Sequence, residues 1–185
     1  SRTGTIAILA AAVVCLVSTM NDMTAPSVSL EGKTLWILRS MPVTTQQIFR
    51  AKLAMQLLLS GISVLFAAIC TCIAFAVPIG STIAVSLACL SLVVLLAEFG
   101  LFLDLKKPNL NWTTEITPIK QSSSVMFALF GGWLYVLLFG AGWFLGAHAL
   151  GAELYLMLFF ALNMILSAVL RSWLMRSGTD IFESL

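Results

Sequence analysis

Ser81-Thr-Ile-Ala-Val-Ser-Leu-Ala-Cys-Leu-Ser-Leu-Val-Val-Leu-Leu-Ala-Glu-Phe-Gly-Leu-Phe-Leu103 contains one charged residue, Glu98, among apolar and small ones. Wound into an α-helix rising 1.5 Å per residue, such a stretch is long enough to cross the roughly 30 Å hydrocarbon core of a bilayer. Four further runs of the same character occupy residues 5–20, 51–77, 124–147 and 153–170. The second of these, 27 residues long, would make about 40 Å of helix and should project beyond the core at its first turns. The fold class read from this pattern is all-α: a polytopic membrane helix bundle with five transmembrane helices.

Composition points the same way. Of 185 residues, 60% are hydrophobic and only 10% charged, where a soluble domain is about one quarter charged; the mean hydropathy is +1.03. So few charges cannot cover a water-exposed surface. A net charge of +2, with basic residues lying between apolar runs rather than along one face, gives no basis for a nucleic-acid partner. Cys15, Cys70, Cys72 and Cys89 all fall inside apolar stretches, and with one histidine in the chain they outline neither a zinc site nor a disulfide framework. The readings are therefore no cofactor and no metal held by this chain.

The positive charges orient the bundle. Lys33, Arg39, Arg50, Lys52, Lys106, Lys107, Lys120, Arg171 and Arg176 lie in or beside the joints 21–50 and 104–123 and the tail after residue 170, which alternating spans place on one side. The opposite side has Arg2, and the joints 78–80 and 148–152 have no Lys or Arg. By the positive-inside tendency, the long joints are cytoplasmic and the short turns external.

The joint 21–50 is the most informative polar segment. Leu35, Trp36, Leu38 and Met41 recur at helical spacing with Lys33, Thr34 and Arg39 elsewhere, which describes a short amphipathic helix ended by Pro42. Thr44-Thr45-Gln46-Gln47 matches a capping box, so a new helix should start there and run through Arg50 and Lys52 into the second span. One reading is an interfacial helix with Trp36 at the headgroups and Lys33 and Arg39 facing lipid phosphate. The other is a helix presented to a cytoplasmic partner that pushes on the two spans it joins. Gly32-Lys33-Thr34 imitates the end of a phosphate-binding loop, but Ser27 occupies the position that needs a glycine, so this chain is not expected to bind nucleotide.

The stretch Ser29-Leu-Glu-Gly-Lys-Thr-Leu-Trp-Ile-Leu-Arg-Ser-Met-Pro-Val-Thr44, with Ile48 and Lys52, resembles a block found in export-type ABC transporter permeases of Firmicutes. Glu98-Phe-Gly-Leu101 and Asp104-Leu-Lys-Lys-Pro-Asn-Leu-Asn-Trp-Thr113, with Glu115 and Lys120-Gln121, resemble a second block of the same family. The two cover roughly residues 20–121; the later spans agree in hydropathy alone. The resemblance implies the C-terminal transmembrane part of a six-helix exporter domain, with a missing N-terminal part of the same protein supplying another span. It implies that the first joint is a coupling helix, with Glu31, Lys33, Trp36, Arg39 and Pro42 meeting an ABC ATPase subunit. ATP and Mg²⁺ would be bound by that partner, and a second permease copy or half would complete the transporter in the bacterial plasma membrane.

Two polar residues inside the runs are candidates for an intramembrane site. Glu98 should lie near the cytoplasmic boundary, either reaching a basic neighbour such as Lys106 or Lys120 or serving as a proton or substrate site. Asn163, mid-span in the last run, is suited to hydrogen bonding between helices. Gly131-Gly132, Gly140, Gly142 and Gly146 offer small-xxx-small packing in the fourth run, and Trp133, Trp143 and Trp173 fit belt or packing positions. His148 stands in an external turn near Glu153 without catalytic or ligand partners in sequence. Glu98 and Asp104, six residues apart, point about 240° apart around a helix and would not share a catalytic site. The preferred reading is a permease rather than an enzyme; the alternatives are an ATP-independent secondary transporter using Glu98 and a structural membrane subunit.

Overall fold

The computed structural model describes residues 2–32, 37, 40, 42–109 and 122–184, apart from the side chains of Arg2, Ala147 and His148. Among the described residues all regular structure is helical. The elements are α1 (Arg2–Thr19), α2 (Thr45–Ala74), α3 (Ile79–Lys106), α4 (Ser123–Leu145) and α5 (Ala152–Ser184), with 3-10 turns at Ser29–Glu31 and Ala147–Leu150. Helices α2 to α5 are each long and apolar enough to cross a membrane, and α1 is a shorter apolar helix. This fits a multi-pass membrane protein.

The helices extend past the apolar runs at their polar ends, because a helix continues until its backbone is capped and not until its hydrophobicity falls. Thr44 caps α2 as its spacing predicts: the Thr44 side chain accepts from Gln47 N–H, and Gln47 Oε1 accepts from Thr44 N–H at 3.0 Å. At the other end of α2, Val77 N–H donates to Cys72 O at 2.9 Å and Ala76 N–H to Ile73 O at 3.1 Å, the bonding of a Schellman stop. The left-handed position of that motif is filled by Ala76 with φ +49° instead of the usual glycine. Pro78 then precedes α3, its carbonyl accepting from Thr82 N–H. Two π-turns, Leu57–Gly61 in α2 and Leu174–Gly178 in α5, interrupt the α-helical ladder; hydropathy gives no hint of either.

Helix α3 is the hub, with α1, α2, α4 and α5 all packed on it. Ile8, Val85, Leu92, Val136 and Leu156 meet in the larger core, and Phe49, Leu53, Leu101, Leu105, Leu174 and Phe182 form a second core toward the basic ends. The outward faces are equally apolar. Leu58, Ile62, Phe66 and Ile73 of α2 form an exposed stripe, with Phe66 and Ile73 each 71% exposed. A contiguous apolar surface of that kind is untenable in water and natural against lipid.

The glycines of α4 work differently from the small-xxx-small expectation. A Cβ on Gly132 would come within 3.0 Å of Thr19 and 3.2 Å of Leu96, one on Gly131 within 3.2 Å of Phe99, and one on Gly142 within 2.7 Å of the Tyr155 hydroxyl. Gly140 and Gly146 face open space. Close approach is therefore made at Gly131, Gly132 and Gly142, because those are the positions that the rotation of α4 turns toward its neighbours.

Candidate functional site

The first joint does not hang free of the bundle. It leaves α1 at Thr19, and residues 21–31 are bound into a seat built by α2 and α3. On the α2 side, Met23 N–H donates to Gln56 Oε1 at 2.9 Å, Gln56 Nε2 donates to Asn21 O at 2.7 Å and to Ser60 Oγ at 3.0 Å, and Ser60 Oγ lies 3.3 Å from Asn21 O. Gln56 immediately precedes the π-turn and Ser60 lies within it, so the irregular backbone lies where the joint docks. One turn nearer the helix start, Lys52 Nζ donates to Ser27 O at 2.8 Å and pairs with Glu31 Oε1 at 2.6 Å.

On the α3 side a buried carboxylate organises the joint. Asp104, fully buried, accepts from Val28 N–H at 2.6 Å, Ser29 N–H at 3.0 Å, the Ser29 hydroxyl and, at 3.3 Å, the Ser124 hydroxyl of α4. Ser29 Oγ in turn accepts from Asn109 N–H at 2.9 Å. A carboxylate ringed by donors satisfies the amides of a tight turn that could not otherwise be buried. Nearer the bundle centre, Thr24 Oγ1 lies 2.7 Å from both Asp22 Oδ1 and the Ala97 carbonyl oxygen, and Thr24 N–H donates to Asp22 Oδ1 at 3.0 Å. Gly100 makes this approach feasible, since a Cβ there would overlap Asp22 Oδ2 and come within 2.7 Å of Thr24 Oγ1.

Asp22 is the electrostatically costly residue of the seat. Its Oδ2 is buried and has no hydrogen-bond partner among the described residues. Loss of water pushes its carboxyl up to about 6; the Thr24 and Ala25 hydrogen bonds oppose that rise, and the charge of nearby Asp104 adds to it.

Of the residues assigned to the coupling helix, Glu31 closes the 3-10 turn Ser29–Glu31 and directs its carboxylate to Lys52 of α2. Pro42 is exposed in a bend shortly before the Thr44 cap. Lys33, Trp36 and Arg39 lie outside the described residues, as does most of the amphipathic stretch; Ile37 and Ser40 within it are helical, with Ser40 Oγ donating to Ile37 O at 2.7 Å. The capped start of α2 is tied to the end of α5 by Thr45 Oγ1 to Glu183 Oε1 at 2.9 Å, Gln46 Nε2 to Met175 O at 3.2 Å, and an edge-on Phe49–Phe182 contact.

Glu98 and Asn163 lie at two separate polar points within the bundle. Glu98 is fully buried, accepts from Ser167 Oγ at 2.6 Å and pairs with Arg171 Nε at 2.8 Å, both from α5. The basic neighbour named from sequence, Lys106, instead lies over the Phe102 ring at 4.8 Å and near Trp173; Lys120 lies outside the described residues. The pairing follows from helix rotation: Glu98 faces Ser167 and Arg171 of α5, whereas Lys106, about two turns further along α3, is directed to the Phe102 and Trp173 rings. Asn163 bridges three helices, donating to Ser91 Oγ of α3 at 3.0 Å and accepting from Tyr135 Oη of α4 at 2.6 Å.

Asp104 faces the joint while Glu98 faces α5, so the two carboxylates occupy different surroundings as their spacing requires. No group of three or more potential metal ligands occurs among the described residues. The thiols of Cys15 and Cys89 approach to 3.7 Å across α1 and α3. No family model matches the chain, and no curated protein or solved structure matches it.

Sequence reading passed over Asp22, Thr24, Gln56, Ser60 and Gly100. One signal was present: Gln56 and Ser60, four apart in an apolar run, mark a polar face on α2 that must meet polar partners.

Proposed function

We propose that the chain is a membrane-spanning permease subunit of an ABC exporter, driven by a separate ATPase that binds ATP and Mg²⁺ and docks on the first joint. The observation that supports this best is the seating of residues 21–31: Asp104 of α3 and Lys52, Gln56 and Ser60 of α2 hold the joint directly. A force applied beyond Gly32 therefore reaches two helices through short polar bonds instead of dissipating in a loose loop. The Thr44 cap and its links to α5 extend the same lever to a third helix. Export as the direction of transport rests on the sequence resemblance. A proton-carrying role for Glu98 has less support, because its two oxygens are already engaged by Ser167 and Arg171.

The test is copurification and substrate-stimulated ATP hydrolysis of the full-length permease with its ATPase, comparing wild type with Trp36→Ala and Arg39→Glu. Normal membrane levels with lost ATPase binding are expected, since a buried aromatic anchor contributes about 2 kcal/mol or more at an interface. Unchanged binding and turnover in both variants would sink the coupling role. Weakened attachment of the loop to vesicles with ATPase binding intact would favour the interfacial-helix reading.

A further inference from the structure

Helices α4 and α5 both lean on α3 yet separate from each other along its inner half. In the outer half an aromatic stack, with Tyr135–Phe159 at 5.6 Å and Phe139–Phe159 at 4.1 Å, fastens α4 to α5. Toward the basic end the two helices open into a cleft of about 350 Å³ whose walls include Leu95 and Phe99 of α3, Gly131 and Tyr135 of α4, and Leu166 and Val169 of α5. Its surface is almost wholly apolar, since the Tyr135 hydroxyl is spent on Asn163. Gly131 keeps it open: a Cβ there would already stand 3.2 Å from the Phe99 ring.

The mouth of the cleft is basic. Arg171 follows the lining residue Leu170; it gives its Nε to Glu98 and leaves its side chain 53% exposed. Lys106, exposed, lies seven residues beyond Phe99 and thus on the same face of α3, with its ammonium over Phe102 and 5.9 Å from the Trp173 ring of α5. Lys107, also exposed, holds its ammonium 5.0 Å over Phe127, one turn before Gly131 on α4. The carboxylates near these three cations, Glu98 and Asp104, are both fully buried, Glu98 turned to Ser167 and Arg171 and Asp104 to Val28, Ser29 and Ser124.

An apolar slot in the hydrocarbon with cations at its interfacial rim matches one ligand chemistry. We propose that this cleft binds an anionic phospholipid of the leaflet at the basic end, with an acyl chain between α4 and α5 and the phosphate at Arg171, Lys106 and Lys107. The assignment does not depend on a partner ATPase. A zwitterionic lipid could fill the slot equally well but would gain little from the rim, so the site is distinguished by headgroup preference.

The experiment reconstitutes the full chain in phosphatidylcholine vesicles containing a trace of chain-spin-labelled phosphatidylglycerol or phosphatidylcholine. Electron spin resonance then gives the fraction of each label immobilised by protein. Because a basic residue near a charged membrane surface is worth about fivefold in association, wild type should prefer phosphatidylglycerol by about fivefold or more at low salt. The preference should fall toward unity in K106Q/K107Q, and in wild type at 1 M salt, where screening acts within about 3 Å. Val169 is 63% exposed, so V169W can fill the slot from the lipid side, and it should lose the headgroup preference while keeping both lysines. Equal immobilisation of both lipids by wild type overturns the proposal, as does a preference left intact in V169W or in K106Q/K107Q. Exclusion of both labels from the cleft, as a second copy or another helix seated there would cause, overturns it too.

Discussion

Gly100→Ala sets two physical effects against each other, and their sum has a sign that depends on the seating of the joint. In an exposed helix interior, replacing glycine by alanine stabilises by about 1 kcal/mol, because the unfolded chain loses freedom. At position 100 the added methyl would overlap Asp22 Oδ2 and lie within 2.7 Å of Thr24 Oγ1. The joint must then lift, which breaks the 2.7 Å contact between Thr24 Oγ1 and Ala97 O and leaves a buried carbonyl short of a donor. A lost buried hydrogen bond costs about 1 kcal/mol and overpacking about 1 to 3 kcal/mol. Net destabilisation of about 1 to 3 kcal/mol is expected. Gly140→Ala is the control: it sits within α4 with nothing within 4 Å of its Cβ position and should stabilise by about 0.5–1 kcal/mol. Reversible unfolding in mixed micelles with increasing dodecyl sulfate, followed by tryptophan fluorescence, measures both. Adding Asp22→Ala should relieve part of the Gly100→Ala cost, with a coupling of about 0.5 kcal/mol or more. A Gly100→Ala protein as stable as wild type, or more so, would refute the docking of residues 22–24 on α3.

Further outcomes follow from the same contacts. The Asp22 carboxyl is raised from 3.8 to about 6 by burial, so the folded state holds its proton more tightly than the unfolded chain. The stability it contributes is complete below about pH 4 and is lost as pH rises through about 6, amounting to at most about 3 kcal/mol. Unfolding titrations between pH 4 and 8 should show that slope in wild type and a shallower one in Asp22→Asn; identical slopes would contradict it. Asn163→Leu removes both interhelical bonds, to Ser91 and Tyr135, and should destabilise by about 0.6–2 kcal/mol in the same unfolding assay. Arg171→Gln leaves the buried Glu98 without its cation and should cost about 2 kcal/mol or more, whereas Glu98→Gln leaves a half-exposed arginine and should cost less; equal losses would argue against the pair. Ala76→Gly relieves the left-handed backbone at φ +49° and should stabilise by about 0.5–1 kcal/mol, readable as a shifted unfolding midpoint.

Hydropathy located all five helices to within a few residues at their apolar ends, because the transfer of side chains from water is a local sum along the chain. The Thr44 cap was equally legible, since its two partners are three residues apart. Asymmetry of charge, read from the joints alone, set apart the end of the bundle at which the basic rim of the cleft stands.

Pairing between helices was decided only in three dimensions. Glu98 could have reached any of several cations, and the rotation of α3 against α5 selected Arg171. The rotation of α4 turned Gly131, Gly132 and Gly142 inward and left Gly140 outside, although all four look alike in sequence. Asp22 and Thr24 of the joint each lie more than 75 positions from Gly100 of α3, and no periodicity links them to it. In lipid both faces of a helix are apolar, so the pattern that tells inside from outside in a soluble protein is absent; which residues meet is settled by shape and by the few polar groups that must find one another.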